Sequence, residues 1–412
     1  MGFESIKEVV KTRYTANPVF TFIIGLLLIS FVLDLVLCLV TGMDFFVDNL
    51  FGVQDATFMD HFNSMMYSMD DPYNGWEVIY PSLITAFYAI LGEWTLPYIT
   101  PTGRNISFDF RDTQMGIMTF AVIMMLSVFV IHLFINKVCE KSFKSNEISV
   151  VFFLVLVSTP LLFALTRGNS IVMCVAFLCL FLLGYQSENK WIRYLSYLAL
   201  GITVGIKITS IFFGFLIIRR KNWQDLVIAL AFVIVVFLVP FLYTGGTPLD
   251  LLSNILHHTG DEPERTLRTF QTYIIWLDVI LPSSAVSAIG YAAILATIAM
   301  IGLAVIFDKE LEYWKQLFLL CSIFTTVIGL GISYYYLSMI IPLAFFLVSE
   351  KEMTRTNLVF AIIFVLMFVF APSMEFTRSL PTIIGMALIL GPSMKRVFGR
   401  FSAKTVAACE IA

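Results

Sequence analysis

Between residues 19 and 40 the chain carries one charged side chain, Asp34, and uncharged, mostly apolar runs of this kind recur along its length. A bilayer's hydrocarbon core is about 30 Å thick, which about 20 helical residues cross at 1.5 Å each. Backbone polar groups in that core must be satisfied within the segment, so a continuous apolar run spans as a helix. The alternating short strands of a membrane barrel do not give such runs. Further windows lie at 115–135, 148–165, 226–243, 286–307, 317–330, 332–348 and 358–370, with shorter ones at 171–184 and 381–390. The expected fold is all-α, a polytopic membrane protein of about 10–12 transmembrane helices. Only 13% of the residues are charged, against about 25% in soluble domains.

Lys and Arg set the expected orientation, because short cytoplasmic loops are enriched in them. Lys137, Lys141 and Lys144, then Lys190 and Arg193, Arg219 to Lys221, Lys309 and Lys315, and Lys351 and Arg355 fall on alternate connections. Together with Lys7, Lys11 and Arg13 near the start and Lys395 to Lys404 near the end, they place both termini inside. The run at 19–40 is too long for a signal-peptide core and reads as an uncleaved first span. The opposite connections are acidic: 42–114 forms a first outside loop, 244–284 a second, and 394–412 a cytoplasmic tail. The chain reads as one membrane domain over 1–412, multi-pass in the cell membrane. No cysteine lies in an outside loop, so no disulfide framework is expected.

One conflict is informative. Arg193 and Arg219 both belong inside, yet 194–218 is long enough for only one crossing. Either the chain turns back as a hairpin of two short helices or one basic cluster is misplaced; the hairpin is the favoured reading, with its apex near Gly205-Ile206-Lys207. Gly201 and Gly205, four apart, permit the close helix packing that such a hairpin needs. Lys207 is thereby carried deep into an apolar surround, where a cation is costly and faces a cavity or a partner; a phosphate is the first candidate and Asp34 the second. The helix expected at 81–91 is too short to span and reads as lying at the outer interface, where Trp76, Tyr80, Tyr88, Trp94 and Tyr98 suit an aromatic belt.

Chemistry on a polar substrate belongs in the acidic first loop. Asp60 is a candidate general base for a hydroxyl, with Asp44 and Asp55 as rivals and a helix cap as the plain alternative. Asp70-Asp71 could bind a divalent cation, but Asp-Asp-Pro is more often turn chemistry, and no cofactor is expected. Arg167 sits in the very short turn Thr166-Arg167-Gly168-Asn169, where it can clamp a phosphate bidentately or snorkel to headgroups. His257, His258, Arg265 and Arg268 could donate to a phosphate from the second outside loop, or be solvated there.

Three features in order carry a resemblance: Asp60, Tyr73 and Tyr80-Pro81 in the first loop; Arg167-Gly168-Asn169 between two helices; and Gly201, Gly205 and Lys207 before a short apolar helix. At these residues the chain resembles the C-type membrane glycosyltransferases, specifically glycosyltransferase family 87, which contains polyprenyl-phosphate-mannose-dependent mannosyltransferases. The resemblance implies inverting transfer of a hexose, mannose first, from a polyprenyl-phosphate-linked donor to a glycan or glycolipid at the outer face. It implies Asp60 as base, Arg167, Lys207, His257, His258, Arg265 and Arg268 at the donor phosphate, and Asn169, Tyr73 and Tyr80 on substrate. The implied partners are donor, acceptor and bilayer, with no nucleic acid. A transporter or flippase for lipid-linked sugars is the rival, but transporters commonly carry paired repeats and the short hairpin here has no counterpart in the other half. A ligase moving a whole glycan shares most of these features.

Overall fold

The computed structural model describes residues 17–42, 57–261, 280–328, 332–369 and 375–411. It is helical throughout, with no strand among the described residues.

Helix α1 (Pro18–Thr41) starts where Asn17 accepts from the Phe20 amide and Pro18 presets the first turn, and it ends on Gly42 in the left-handed region. The loop that follows holds α2 (Met59–Met69), α3 (Ser82–Thr95) and α4 (Ile106–Asp112). Thr113 caps the long α5 (Gln114–Cys139), its hydroxyl accepting from Gly116 N at 3.0 Å. The expected 148–165 span is broken into α6 (Ser145–Leu156) and α7 (Thr159–Arg167), bent by 53°. Pro160 sits in the first turn of α7; it has no N–H to give and its ring clashes with a helical carbonyl four residues back, so the helix cannot run through. Then come α8 (Ile171–Gly184), α9 (Lys190–Ile206), the short α10 (Gly214–Arg219), α11 (Trp223–Leu238), a single turn α12 (Phe241–Thr244) and α13 (Pro248–Asp261).

The C-terminal half contributes α14 (Ser283–Phe307), α15 (Tyr313–Ser322), a π turn at Ile323–Val327 and a 3-10 turn at Ser333–Met339. It closes with α16 (Ile340–Ser349), α17 (Arg355–Phe368) and α18 (Glu375–Ile411), which continues through the stretch expected as a tail. Among the described residues four helices are each long and apolar enough to cross a membrane, and the bent α6–α7 pair makes a fifth. The other expected spans are shorter apolar helices joined by 3-10 and π turns. Of these, α15 lies in the interior, every residue from Leu317 to Ser322 being buried, whereas α17 still exposes Leu358, Val359, Ile362 and Leu366.

Of the two readings of the charge pattern, the hairpin is the one that forms. α9 stops at Ile206, Lys207 is extended, and a 3-10 turn (Ile208–Phe213) leads the chain back through α10. Its two ends meet at one acid: Arg193 Nε lies 3.1 Å from Asp225 Oδ1, and Arg220 Nη1 lies 3.7 Å from Oδ2. The glycines serve as expected. A Cβ on Gly205 would stand 2.8 Å from Leu83 of α3 and 3.1 Å from Val236 of α11, and one on Gly201 would stand 3.3 Å from the Phe232 backbone.

Buried and partly buried ion pairs gather the basic connections at one end of the molecule. Besides Asp225, Asp308 accepts from Ser393 at 2.7 Å and pairs with Arg396 at 2.6 Å, while Arg219 donates to the carbonyls of Val305 and Asp308. Asp60 and Tyr80 of the first loop, the α7–α8 turn and the hairpin apex come together the length of α9 away from Asp225.

Candidate functional site

The first loop is docked onto the α7–α8 turn by backbone contacts. Phe58 N donates to Thr166 O at 2.7 Å, and Phe58 takes a positive φ of 61° to present α2. Opposite it Gly168 has φ +70°, and a Cβ there would stand 2.9 Å from Phe58 O and 3.0 Å from His61 Cβ. Only glycine combines that backbone conformation with that approach. The docking sets Asp60, in the first turn of α2, against Arg167 and Asn169.

Arg167 Nη2 donates to Asp60 Oδ1 at 2.7 Å, and Asn169 Nδ2 donates to Oδ2 at 2.9 Å. The Asn169 side-chain amide is oriented by its own oxygen, Oδ1, which accepts from Ile171 N at 3.0 Å at the start of α8. Asp60 is thus held on both oxygens, yet remains partly exposed. Arg167, more exposed still, commits one of its five N–H donors to this carboxylate.

Beside this cluster lies a cavity of about 220 Å³ bounded by Tyr80, Lys207, Ile208, Phe324, Ile328 and Tyr335. The Lys207 ammonium has no carboxylate and no hydrogen-bond acceptor among the described residues. Its neighbours are ring faces: Nζ lies 4.9 Å from the Tyr80 centroid and 5.7 Å from that of Tyr335. Burial pushes the Tyr80 hydroxyl above its ordinary pKa, with the Lys207 ammonium pulling the other way.

Tyr73 has a different task. Its ring is fully buried against Phe241 and Gly246, and its single O–H is shared between Tyr80 O and Thr85 Oγ1, each 3.2 Å away. Burial raises its pKa to about 12. Tyr73 holds the Tyr80 backbone in place and does not line the cavity. Asn254 of α13 reinforces it, donating to Tyr73 O at 2.8 Å.

Asp70 and Asp71 form a turn: Asp71 Oδ1 accepts from the Asn74 side chain at 3.0 Å and Asp71 O from Gly75 N at 2.8 Å. No group of three metal-ligating side chains occurs among the described residues. Asp34 stays within its own helix, accepting from Ser30 at 3.4 Å, and does not meet Lys207. His257 is exposed on α13, whose Ile255 reaches the cavity wall. Asp44, Asp55, Arg265, Arg268 and the side chain of His258 lie outside the described residues.

Three residues that the sequence did not single out complete the picture. Tyr334 and Tyr335 arrive from the 3-10 turn after the π turn, more than a hundred residues beyond Lys207, with only an apolar-aromatic run as signal. His61, next to Asp60, is fully buried between Phe62, Tyr88 and Phe120, with both ring nitrogens unpaired. Burial lowers its pKa to about 3, so it is a neutral part of the wall behind the carboxylate.

The family model of glycosyltransferase family 87 matches residues 114–329, just over half the chain. The chain belongs to glycosyltransferase family 87. The matched stretch contains Arg167, Asn169 and Lys207, while Asp60, Tyr73, Tyr80 and Tyr335 lie outside it. Comparison with curated proteins and with solved structures returned no match. This family member is therefore a membrane glycosyltransferase, which sets aside the transporter reading; a sugar donor, an acceptor and a bilayer are its partners.

Proposed function

We propose that this glycosyltransferase moves a hexose, mannose first, from a polyprenyl-phosphate-linked donor to a glycan or glycolipid hydroxyl at the outer face of the membrane, with inversion. The observation that carries this reading is the Lys207 ammonium: buried beside a cavity, without a counter-anion among the described residues, and adjacent to the Asp60–Arg167–Asn169 cluster. A cation kept at that cost is suited to an anion brought by a ligand, and a lipid phosphate entering from the bilayer is such an anion.

Asp60 takes the proton of the acceptor hydroxyl as that oxygen forms its bond to the anomeric carbon. The bond from the anomeric carbon to the phosphate oxygen breaks on the opposite face, and its electron pair leaves with the lipid phosphate. Lys207 and the free N–H groups of Arg167 meet the charge that grows there; fixed donors of this kind contribute several kcal/mol. Asn169 keeps the carboxylate turned towards the acceptor. The acidic end of the molecule, opposite the Asp225 and Asp308 clusters, faces outside on the distribution of Lys and Arg.

Asp60→Asn tests the reading, because it keeps size and hydrogen bonding and removes the base. Transfer from radiolabelled polyprenyl-phosphate-mannose should fall by about 10²–10⁴-fold while donor binding persists. Near-normal turnover of purified Asp60→Asn would exclude Asp60 as the base. Labelled polyprenyl-phosphate-glucose, assayed in parallel, decides between the two hexoses.

A further inference from the structure

Tyr334, Tyr335 and Tyr336 are consecutive in a 3-10 turn, Ser333–Met339. Residues of a 3-10 helix project about 120° apart, so three neighbours address three different surroundings. Tyr334 stacks on Phe163 of α7, with centroids 5.8 Å apart and an interplanar angle of 16°. Tyr336 is fully buried in the core. Tyr335 is the one that reaches the cavity, where its ring faces Lys207. The turn is anchored at its start by Arg378, whose Nη1 donates to Ser333 Oγ at 2.9 Å. The direction of Tyr335 is therefore imposed by its neighbours.

The ring contact with Lys207 does not use the hydroxyl. Among the described residues the Tyr335 hydroxyl has no hydrogen-bond partner, and neither has that of Tyr80 across the cavity. Tyr80, Lys207 and Tyr335 thus line one cavity and bring to it an ammonium and two phenols whose O–H groups are uncommitted. An ammonium donates three hydrogen bonds and a phenol one, a set suited to the several acceptor oxygens of one phosphate.

We propose that Tyr335 is a direct ligand of the donor phosphate, donating its O–H to a phosphate oxygen that the Lys207 ammonium also binds. This inference rests on the donor reading given above and adds to it a residue from the C-terminal half, outside the family-matched stretch. Before the donor arrives, the two rings hold the ammonium by cation–π attraction. When the phosphate enters, it takes the ammonium and both hydroxyls together, so the C-terminal half closes the site begun by the first loop and the hairpin.

The test uses the full chain in nanodiscs with undecaprenyl phosphate as probe, measuring its dissociation constant and the melting temperature of each protein. Tyr335→Phe keeps the ring over Lys207 and removes only the hydroxyl. It should melt with wild type and bind the probe about tenfold more weakly, as expected for loss of one hydrogen bond to a charged group. Tyr335→Leu removes the ring as well and should bind more weakly still. Undiminished binding by Tyr335→Phe would overturn the inference, leaving Tyr335 as a ring that shields Lys207. Absence of probe binding by wild type would instead overturn the donor reading, and this inference with it.

Discussion

Replacing Lys207 by Met separates what this residue does for the fold from what it does for the reaction. In the fold its ammonium gains two ring contacts, at 4.9 and 5.7 Å, worth about 0.5–2 kcal/mol each. Against that stands a cost of about 2.5–3.5 kcal/mol for a cation among apolar residues at membrane depth. The two nearly cancel, and Met fills a similar volume with no charge to desolvate, so the variant should melt at or slightly above the wild-type temperature. In the reaction the loss is one-sided, because a fixed donor to the leaving phosphate is removed. Removal of one such donor lowers turnover by about 10²–10³-fold. The assay is transfer from radiolabelled polyprenyl-phosphate-mannose in nanodiscs, with donor KM and kcat measured beside the melting temperature. A folded Lys207→Met with unchanged donor KM and kcat would refute the phosphate site. A strongly destabilised variant would refute the cancellation and make Lys207 a structural cation.

The docking of the first loop should be equally open to attack. Gly168→Ala, forced into a left-handed φ with its Cβ 2.9 Å from Phe58 O, should undock α2 and reduce transfer at least about tenfold for a stability loss of about 1–3 kcal/mol; wild-type activity in this variant would show the docking is dispensable. Asp225→Asn leaves Arg193 and Arg220 without their shared charge at the base of the hairpin. Since both arginines are partly exposed, the cost should be about 1–3 kcal/mol, read as a lowered melting temperature. His61 gives a pH signature: with its native pKa lowered to about 3 by burial, the unfolded chain binds a proton that the folded chain refuses between there and the ordinary value near 6.5. Stability should therefore fall as pH drops through that window, by up to about 1.4 kcal/mol per pH unit, and His61→Phe should lose that part of the slope; identical slopes in the two proteins would count against it. Cysteines introduced at Asp71 and at Ser349 test the orientation, the first labelling with an impermeant thiol reagent on intact cells and the second not, and the reverse pattern would invert the assignment of faces.

Much of the architecture is written in one-dimensional signals. Apolar runs determined helices in every expected window, because a buried or lipid-facing backbone has to satisfy its polar groups internally. Arg193 and Arg219 pointed to the hairpin and an apex near Lys207, because two basic clusters on one side with one crossing between them favour a chain that turns back; the shared contact of Arg193 and Arg220 with Asp225 chose it over a misplaced cluster. Gly168 marks the tight turn by local backbone chemistry, whereas Pro160 breaks into α6 and α7 a window that read as one span. What the tertiary structure decided is who meets whom. Asp60 and Arg167 are 107 positions apart, and no periodicity or propensity connects them; their contact depends on Phe58 and Gly168 adopting complementary positive-φ conformations. Asp34 and Lys207 were plausible partners as two charges in apolar surroundings, yet Asp34 is on α1 beside Ser30 while the hairpin apex packs against α3. The Tyr335 contribution was illegible for a related reason. In a run of three tyrosines within an apolar stretch, only the pitch of a 3-10 turn, pinned by Phe163 and Arg378, determines which ring reaches the cation.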